Sequence, residues 1–125
     1  MNRRGHRGKV DGNQKAIVGI FERANFSVQS LAAVGDGCPD LLVGACGWTY
    51  VIEIKNGKKP LTPDQRKWHD EWRGFPVLTV ISEEQAVKFV TLAMRWAAGR
   101  KEEPRPDALP DGWIAASQAG TPGRR

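Results

Sequence analysis

A chain of 125 residues and 13.8 kDa has material for one hydrophobic core and not for two. Its 40% apolar and 26% charged residues exclude disorder throughout. No apolar run approaches the ~20 residues of a membrane helix, residues 1–20 lack a signal-peptide core, and two cysteines (Cys38, Cys46) are too few for a disulfide scaffold, which together point to a cytoplasmic protein.

The net charge of +5 is unevenly placed. Residues 1–10 carry Arg3, Arg4, Arg7 and Lys9 with no acid, residues 11–99 balance ten basic against ten acidic side chains, and residues 100–125 carry +1. A basic arm on a neutral body suits a polyanionic partner, because it neutralises phosphates and releases counterions. The competing reading is a short solubilising terminus.

In chain order, Asp11 and Gln14 have capping-box spacing, and Ile17, Ile20, Phe21 and Ala24 recur with helical period, predicting a first helix. Phe26 to Val34 reads as a strand ended by Gly35-Asp36-Gly37. Pro39-Asp40 leads into the apolar run Leu41-Leu42-Val43, which Gly44 ends. Trp48 to Lys55 alternates, with Tyr50, Ile52 and Ile54 on one face and Val51, Glu53 and Lys55 on the other. After a turn at Asn56-Gly57, Thr62 caps a helix with Pro63 at its first position and Gln65 third, running to Gly74. Trp68 and Trp72 share one face of it, and their spacing predicts core packing. Pro76 to Ile81 is a fourth strand. Ser82 and Gln85 then open a helix with Ala86, Phe89, Val90, Ala93, Met94 and Ala97 as its apolar stripe, ending at Gly99. The order α-β-β-β-α-β-α predicts an α/β domain over 11–99, with helices packed on a mixed sheet of about four strands. Residues 100–125 hold four of the eight prolines and read as a loosely ordered tail, with Trp113-Ile114 its one apolar pair.

Glu53 and Lys55 leave one face of a strand whose neighbours are apolar, where a charge is costly unless it is paired or binds a metal. If the strand after Asp40 lies beside theirs, Asp40 and Glu53 converge on one hard cation. Carboxylates completed by water and phosphate are what Mg²⁺ takes. Such an ion polarises a phosphodiester and acidifies a bound water, and Lys55 beside it holds that water or offsets developing negative charge.

These residues carry a resemblance. Gly37-Cys38-Pro39-Asp40, twelve intervening residues and Glu53-Ile54-Lys55 resemble the active-site signature of the PD-(D/E)xK nuclease superfamily. Leu61-Thr62-Pro63-Asp64-Gln65-Arg66-Lys67-Trp68 resembles the helix that follows it in the VRR-NUC branch and in small phage nucleases. The first helix, strand and Pro-Asp turn are also similar to Holliday-junction resolvases of the archaeal type. The likeness covers about residues 10–90. It implies a restriction-endonuclease-like core and a Mg²⁺- or Mn²⁺-dependent endonuclease without organic cofactor or membrane attachment. The substrate it implies is DNA, branched or otherwise structured, cut by a homodimer. Asp40, Glu53 and the Ile54 backbone carbonyl would hold the metal, Lys55 would act on the water or the transition state, and Gln65 would orient Lys55 or a phosphate. Where many relatives carry a glutamate on the first helix this chain has Gln14, with Asp11 and Glu22 as substitutes.

Each residue also has a plainer reading. Glu53 and Lys55 make a simple ion pair; Gln65, Gln14 and Asp11 are caps; Lys58 and Lys59 read equally as solvated turn residues or as phosphate contacts. Cys38, Cys46 and His69 match no zinc spacing and read as free thiols and a surface histidine. Two rival functions remain: a sequence-specific, restriction-like nuclease, and a nuclease-like domain that binds DNA without cutting it.

Overall fold

Capping chemistry and apolar period define the helices of the computed structural model, which describes residues 11–55, 60–98, 109–110 and 112–114. Arg3, Arg4, Arg7, Lys9, Lys58 and Lys59 lie outside the described residues. The elements are α1 (Asp11–Arg23), β1 (Ser27–Ser30), β2 (Leu41–Ala45), β3 (Trp48–Ile54), α2 (Pro63–Glu71), β4 (Leu78–Val80) and α3 (Glu83–Ala98). This is the α-β-β-β-α-β-α order expected from the sequence. The sheet is ordered β1-β2-β3-β4, antiparallel except for the parallel β3–β4 pair. The parallel pair needs a crossover, and α2 supplies it. Among the described residues, no helix is long and apolar enough to cross a membrane.

The main core lies between one face of the sheet and the helices α1 and α3. Ile17 and Phe21 of α1 and Ala86, Phe89, Ala93 and Trp96 of α3 pack with Leu41, Val43, Tyr50 and Ile52 of β2 and β3. Phe89 is the hub: its ring lies 4.9 Å from Tyr50, 5.6 Å from Phe21 and 6.1 Å from Phe26, edge-on to each, the geometry that aromatic quadrupoles prefer. Burying each such side chain contributes ~1.5–3 kcal/mol. The other face of β3 carries the buried Val51 and Glu53, on the side where α2 lies.

Several boundaries differ from expectation for local reasons. Asp11 lies within α1 and is not a cap that precedes it, and its side chain is outside the described residues. β1 stops at Ser30, whose hydroxyl takes the Ala32 N–H at 3.2 Å and bends the chain off the ladder. α2 ends at Glu71, capped by Trp72, three residues before Gly74 becomes relevant. On α3 the buried positions are Ala86, Phe89, Ala93 and Trp96; Met94 falls about 100° off that stripe and is 43% exposed. In the tail, Trp113 joins the core at 2% exposure and Ile114 bridges Leu78, with the Thr79 N–H donating to the Trp113 carbonyl at 2.8 Å. The free edge of β4 is thereby covered.

One close approach ties the turn before β2 to the start of α2. Gly37 has φ +82°, and a Cβ there would collide with the Asp64–Gln65 backbone. Gly35 has a similar φ of +74° but open space around it. We therefore expect Gly37→Ala to lower the thermal midpoint by at least ~5 °C and Gly35→Ala by clearly less, since only the first adds a backbone clash to the left-handed strain of ~1 kcal/mol. Paired thermal melts check this; equal losses would mean that the approach to α2 is not tight.

Candidate active site

The site starts from a two-residue turn. Cys46 (φ 54°) and Gly47 (φ 90°) both adopt left-handed backbone, the type I′ geometry that joins twisted antiparallel strands. It sets the register Ala45↔Trp48, Val43↔Tyr50 and Leu41↔Ile52. Continued by one residue, that register places Asp40 opposite Glu53. Because Leu41, Val43, Tyr50 and Ile52 fill the main core, alternation sends Asp40 and Glu53 to the opposite face. Pro39, fully buried, fixes the entry to β2, and the Ile54 N–H donates to Asp40 Oδ2 at 2.7 Å. The Asp40 carboxyl is therefore pinned at the end of β3, beside Glu53.

α2 completes the group. Thr62 caps it through Oγ1, which accepts the Gln65 N–H at 3.2 Å, while Gln65 Oε1 accepts the Thr62 N–H at 2.9 Å. With its orientation set by that capping box, Gln65 donates from Nε2 to Glu53 Oε2 at 3.2 Å and accepts Lys55 Nζ at 3.2 Å. Lys55 Nζ also meets the Pro60 carbonyl at 3.4 Å. Gln65 is thus both cap and bridge, which joins the two readings of this residue. The direct Glu53–Lys55 pair of the plainer reading is replaced by a link through the amide.

Two expectations about α2 are corrected. His69 is not on the surface: it is the helix's buried residue, at 0% exposure, with Nε2 3.8 Å from Glu53 Oε1. Trp68 and Trp72 are not core residues; they are half-buried and stack on each other, centroids 4.9 Å apart, outside the main cluster. The helix turns Gln65 and His69 inward, so the tryptophans fall on its flank. Spacing could have flagged His69, since it lies one turn from Gln65 on the same face. Cys38 is also near: its thiol is pushed up by burial and by the charges of Glu53 and Asp40. Gln14 sits half-buried on α1 and its side chain makes no hydrogen bond among the described residues, and Glu22 is exposed there; neither joins the group.

The electrostatics suit a cation. Burial, then the charge of Glu53, raise the Asp40 carboxyl from 3.8 to about 7, against the opposing effects of the Ile54 N–H and Lys55. Glu53 Oε1 is buried without a hydrogen-bond partner. Among the described residues no three His, Cys, Asp or Glu side chains converge, so an all-protein cage is not on offer. Two carboxylates completed by water and phosphate are the donor set that Mg²⁺ accepts, so the chemistry of these residues fits a divalent ion.

Comparison with known proteins gives one informative match. A solved structure described as a VRR_NUC domain is similar to this chain, with 31% sequence identity and a TM-score of 0.54, the alignment covering 62% of this chain and 89% of that one. No protein-family model matches the chain, and no curated protein does.

The Asp40 shift has a sign that can be checked. A carboxyl raised in the folded state contributes stability that is complete below its unfolded value near 4 and is lost as pH rises through about 7. In chelator at pH 8, Asp40→Asn should therefore melt above wild type, and the gap should close as pH falls toward 4. Added Mg²⁺ should raise the wild-type midpoint and leave the variant's unchanged. Melting curves over pH 4–8 test this; a variant less stable at pH 8 would overturn the assignment.

Proposed function

The chain belongs to the VRR-NUC family of the PD-(D/E)xK nuclease superfamily, and from that premise we propose that it is a Mg²⁺- or Mn²⁺-dependent endonuclease hydrolysing DNA phosphodiester bonds, with branched or junction DNA as preferred substrate. The observation that supports this most is the cluster of Asp40, Glu53, Lys55 and Gln65 on adjacent strands and one helix N-terminus, in which Gln65 links Glu53 to Lys55 and the Ile54 N–H fixes Asp40.

Asp40 and Glu53, with the Ile54 carbonyl, would hold the ion, which when bound supplies charge neutralisation at the phosphate and an acidified water. Lys55 is kept in place by Gln65 Oε1 and the Pro60 carbonyl, so its ammonium needs no reorganisation to orient the attacking water or offset charge on the phosphorane. Gln65 holds Glu53 and Lys55 at a fixed separation. Among the described residues no element is set apart for reading bases, which suits recognition by shape and phosphates, with the basic arm and Lys58 and Lys59 as phosphate contacts. Two cuts across a junction require two sites, hence a homodimer.

Incubation with linear, nicked, flapped and four-way DNA, with and without Mg²⁺, is the direct test. We expect Mg²⁺-dependent cutting that is fastest on the four-way substrate. Cutting of linear duplex at one sequence would favour a restriction-like enzyme, and binding without cutting would overturn hydrolysis. In single-turnover assays Lys55→Met should keep Mg²⁺ and DNA affinity while the chemical step slows by at least ~10²-fold. Glu53→Ala should lose metal binding and cleavage together.

The arm gives an independent prediction. Deleting residues 1–9 removes four positive charges. The slope of log affinity against log salt should become shallower, by up to ~0.9 for each phosphate no longer neutralised, with all sequences weakened alike. An unchanged slope would place the arm away from phosphates.

A further inference from the structure

His69 lies beside the carboxylates, and the mechanism above does not use it. Its side chain is wholly buried, neither ring nitrogen has a hydrogen-bond partner, and Nε2 points at the equally unpartnered Glu53 Oε1, 3.8 Å away. Three unsatisfied polar atoms meeting in one buried spot are uncommon, because an unpaired buried donor or acceptor forfeits its hydration without return.

The choice of tautomer follows from that environment. With the proton on Nδ1, a buried N–H has no acceptor and the Nε2 lone pair faces a carboxylate oxygen. With the proton on Nε2, the N–H faces Oε1, and only the Nδ1 lone pair stays unpaired. The second arrangement satisfies more. A contraction of under 1 Å brings 3.8 Å into hydrogen-bond range.

Gln65 and His69 are four apart, so they rise from one face of α2 and address the two oxygens of a single carboxylate: Gln65 Nε2 at Oε2, His69 Nε2 at Oε1. We propose that His69 is a positioning residue that donates from Nε2 to Glu53 Oε1 and, with Gln65, fixes the plane in which Glu53 meets the divalent ion. This rests on the metal-site reading above. Support of a ligating carboxylate from behind acts on metal affinity, and losing it costs ~10–100-fold.

The test is calorimetric titration of Mn²⁺ into the full-length, metal-free protein. The variants are His69→Phe, which cannot donate, His69→Gln, whose amide nitrogen is as many bonds from the backbone as Nε2, and His69→Asn, whose amide nitrogen matches Nδ1. We expect His69→Phe and His69→Asn to bind Mn²⁺ ~10–100-fold more weakly than wild type, and His69→Gln to recover most of the loss. Wild-type affinity in a folded His69→Phe, or rescue by Asn equal to that by Gln, overturns the proposal. Should His69→Phe not fold, the ring ¹⁵N spectrum of the wild-type protein decides: a proton on Nε2 upholds the proposal and the Nδ1 tautomer overturns it. If wild type itself takes up no Mn²⁺, the metal-site reading fails first and this proposal with it.

Discussion

Asp40 and Glu53 face each other because a two-residue turn at Cys46 and Gly47 sets the β2–β3 register, and not because the two carboxyls attract. Burial, and then the directly opposed charge of Glu53, disfavour the Asp40 carboxylate, which is why Asp40 holds its proton up to about 7. The same register pairs Leu41 with Ile52 and Val43 with Tyr50 on the inner face. A slip of one residue would relieve the carboxyls and turn those four side chains out of the core. Apolar burial on one face therefore enforces an electrostatic conflict on the other, one that a divalent cation would relieve.

The second dependence runs through α2. Its first turn must satisfy its own N–H groups, and Gln65 does this with Thr62 while its amide also links Glu53 to Lys55. Helix initiation and site assembly thus share one side chain. The approach of the Gly37 turn to the Asp64–Gln65 backbone adds a steric tie between the loop that delivers Asp40 and the helix that delivers Gln65. His69 extends the same inward face by one turn. The chemistry then sits on elements held by the sheet, and only Lys55 reaches into the segment that follows it.

Substrate chemistry is consistent with this frame. A site of two carboxylates, an ammonium and an amide presents charge and hydrogen bonds to a phosphate, and none of these groups reads a base. The net positive charge of the sequence lies almost wholly in residues 1–10, while residues 11–99 are neutral, so under the proposed function attraction to a polyanion and hydrolysis fall to different parts of the sequence.

The sequence alone determined the element order, because apolar period, capping residues and glycine turns are local signals that the final packing did not override. It also marked Asp40, Glu53 and Lys55 as candidates, through alternation on one strand and a proline-fixed entry, and Gln65 as a cap, whose candidacy for the site came from the resemblance to VRR-NUC nucleases. It did not disclose the Cys46-Gly47 hairpin, since a cysteine is an unusual first turn residue, nor the burial of His69, since polar and aromatic residues on α2 give two plausible inward faces. The docking of Trp113 was equally undetermined, because a single apolar pair in a proline-rich tail has no periodicity to orient it. Tertiary structure decided these three. Register, the rotation of a short helix and the closure of a sheet edge are set by which surfaces meet across the chain, and no window of neighbouring residues contains that information.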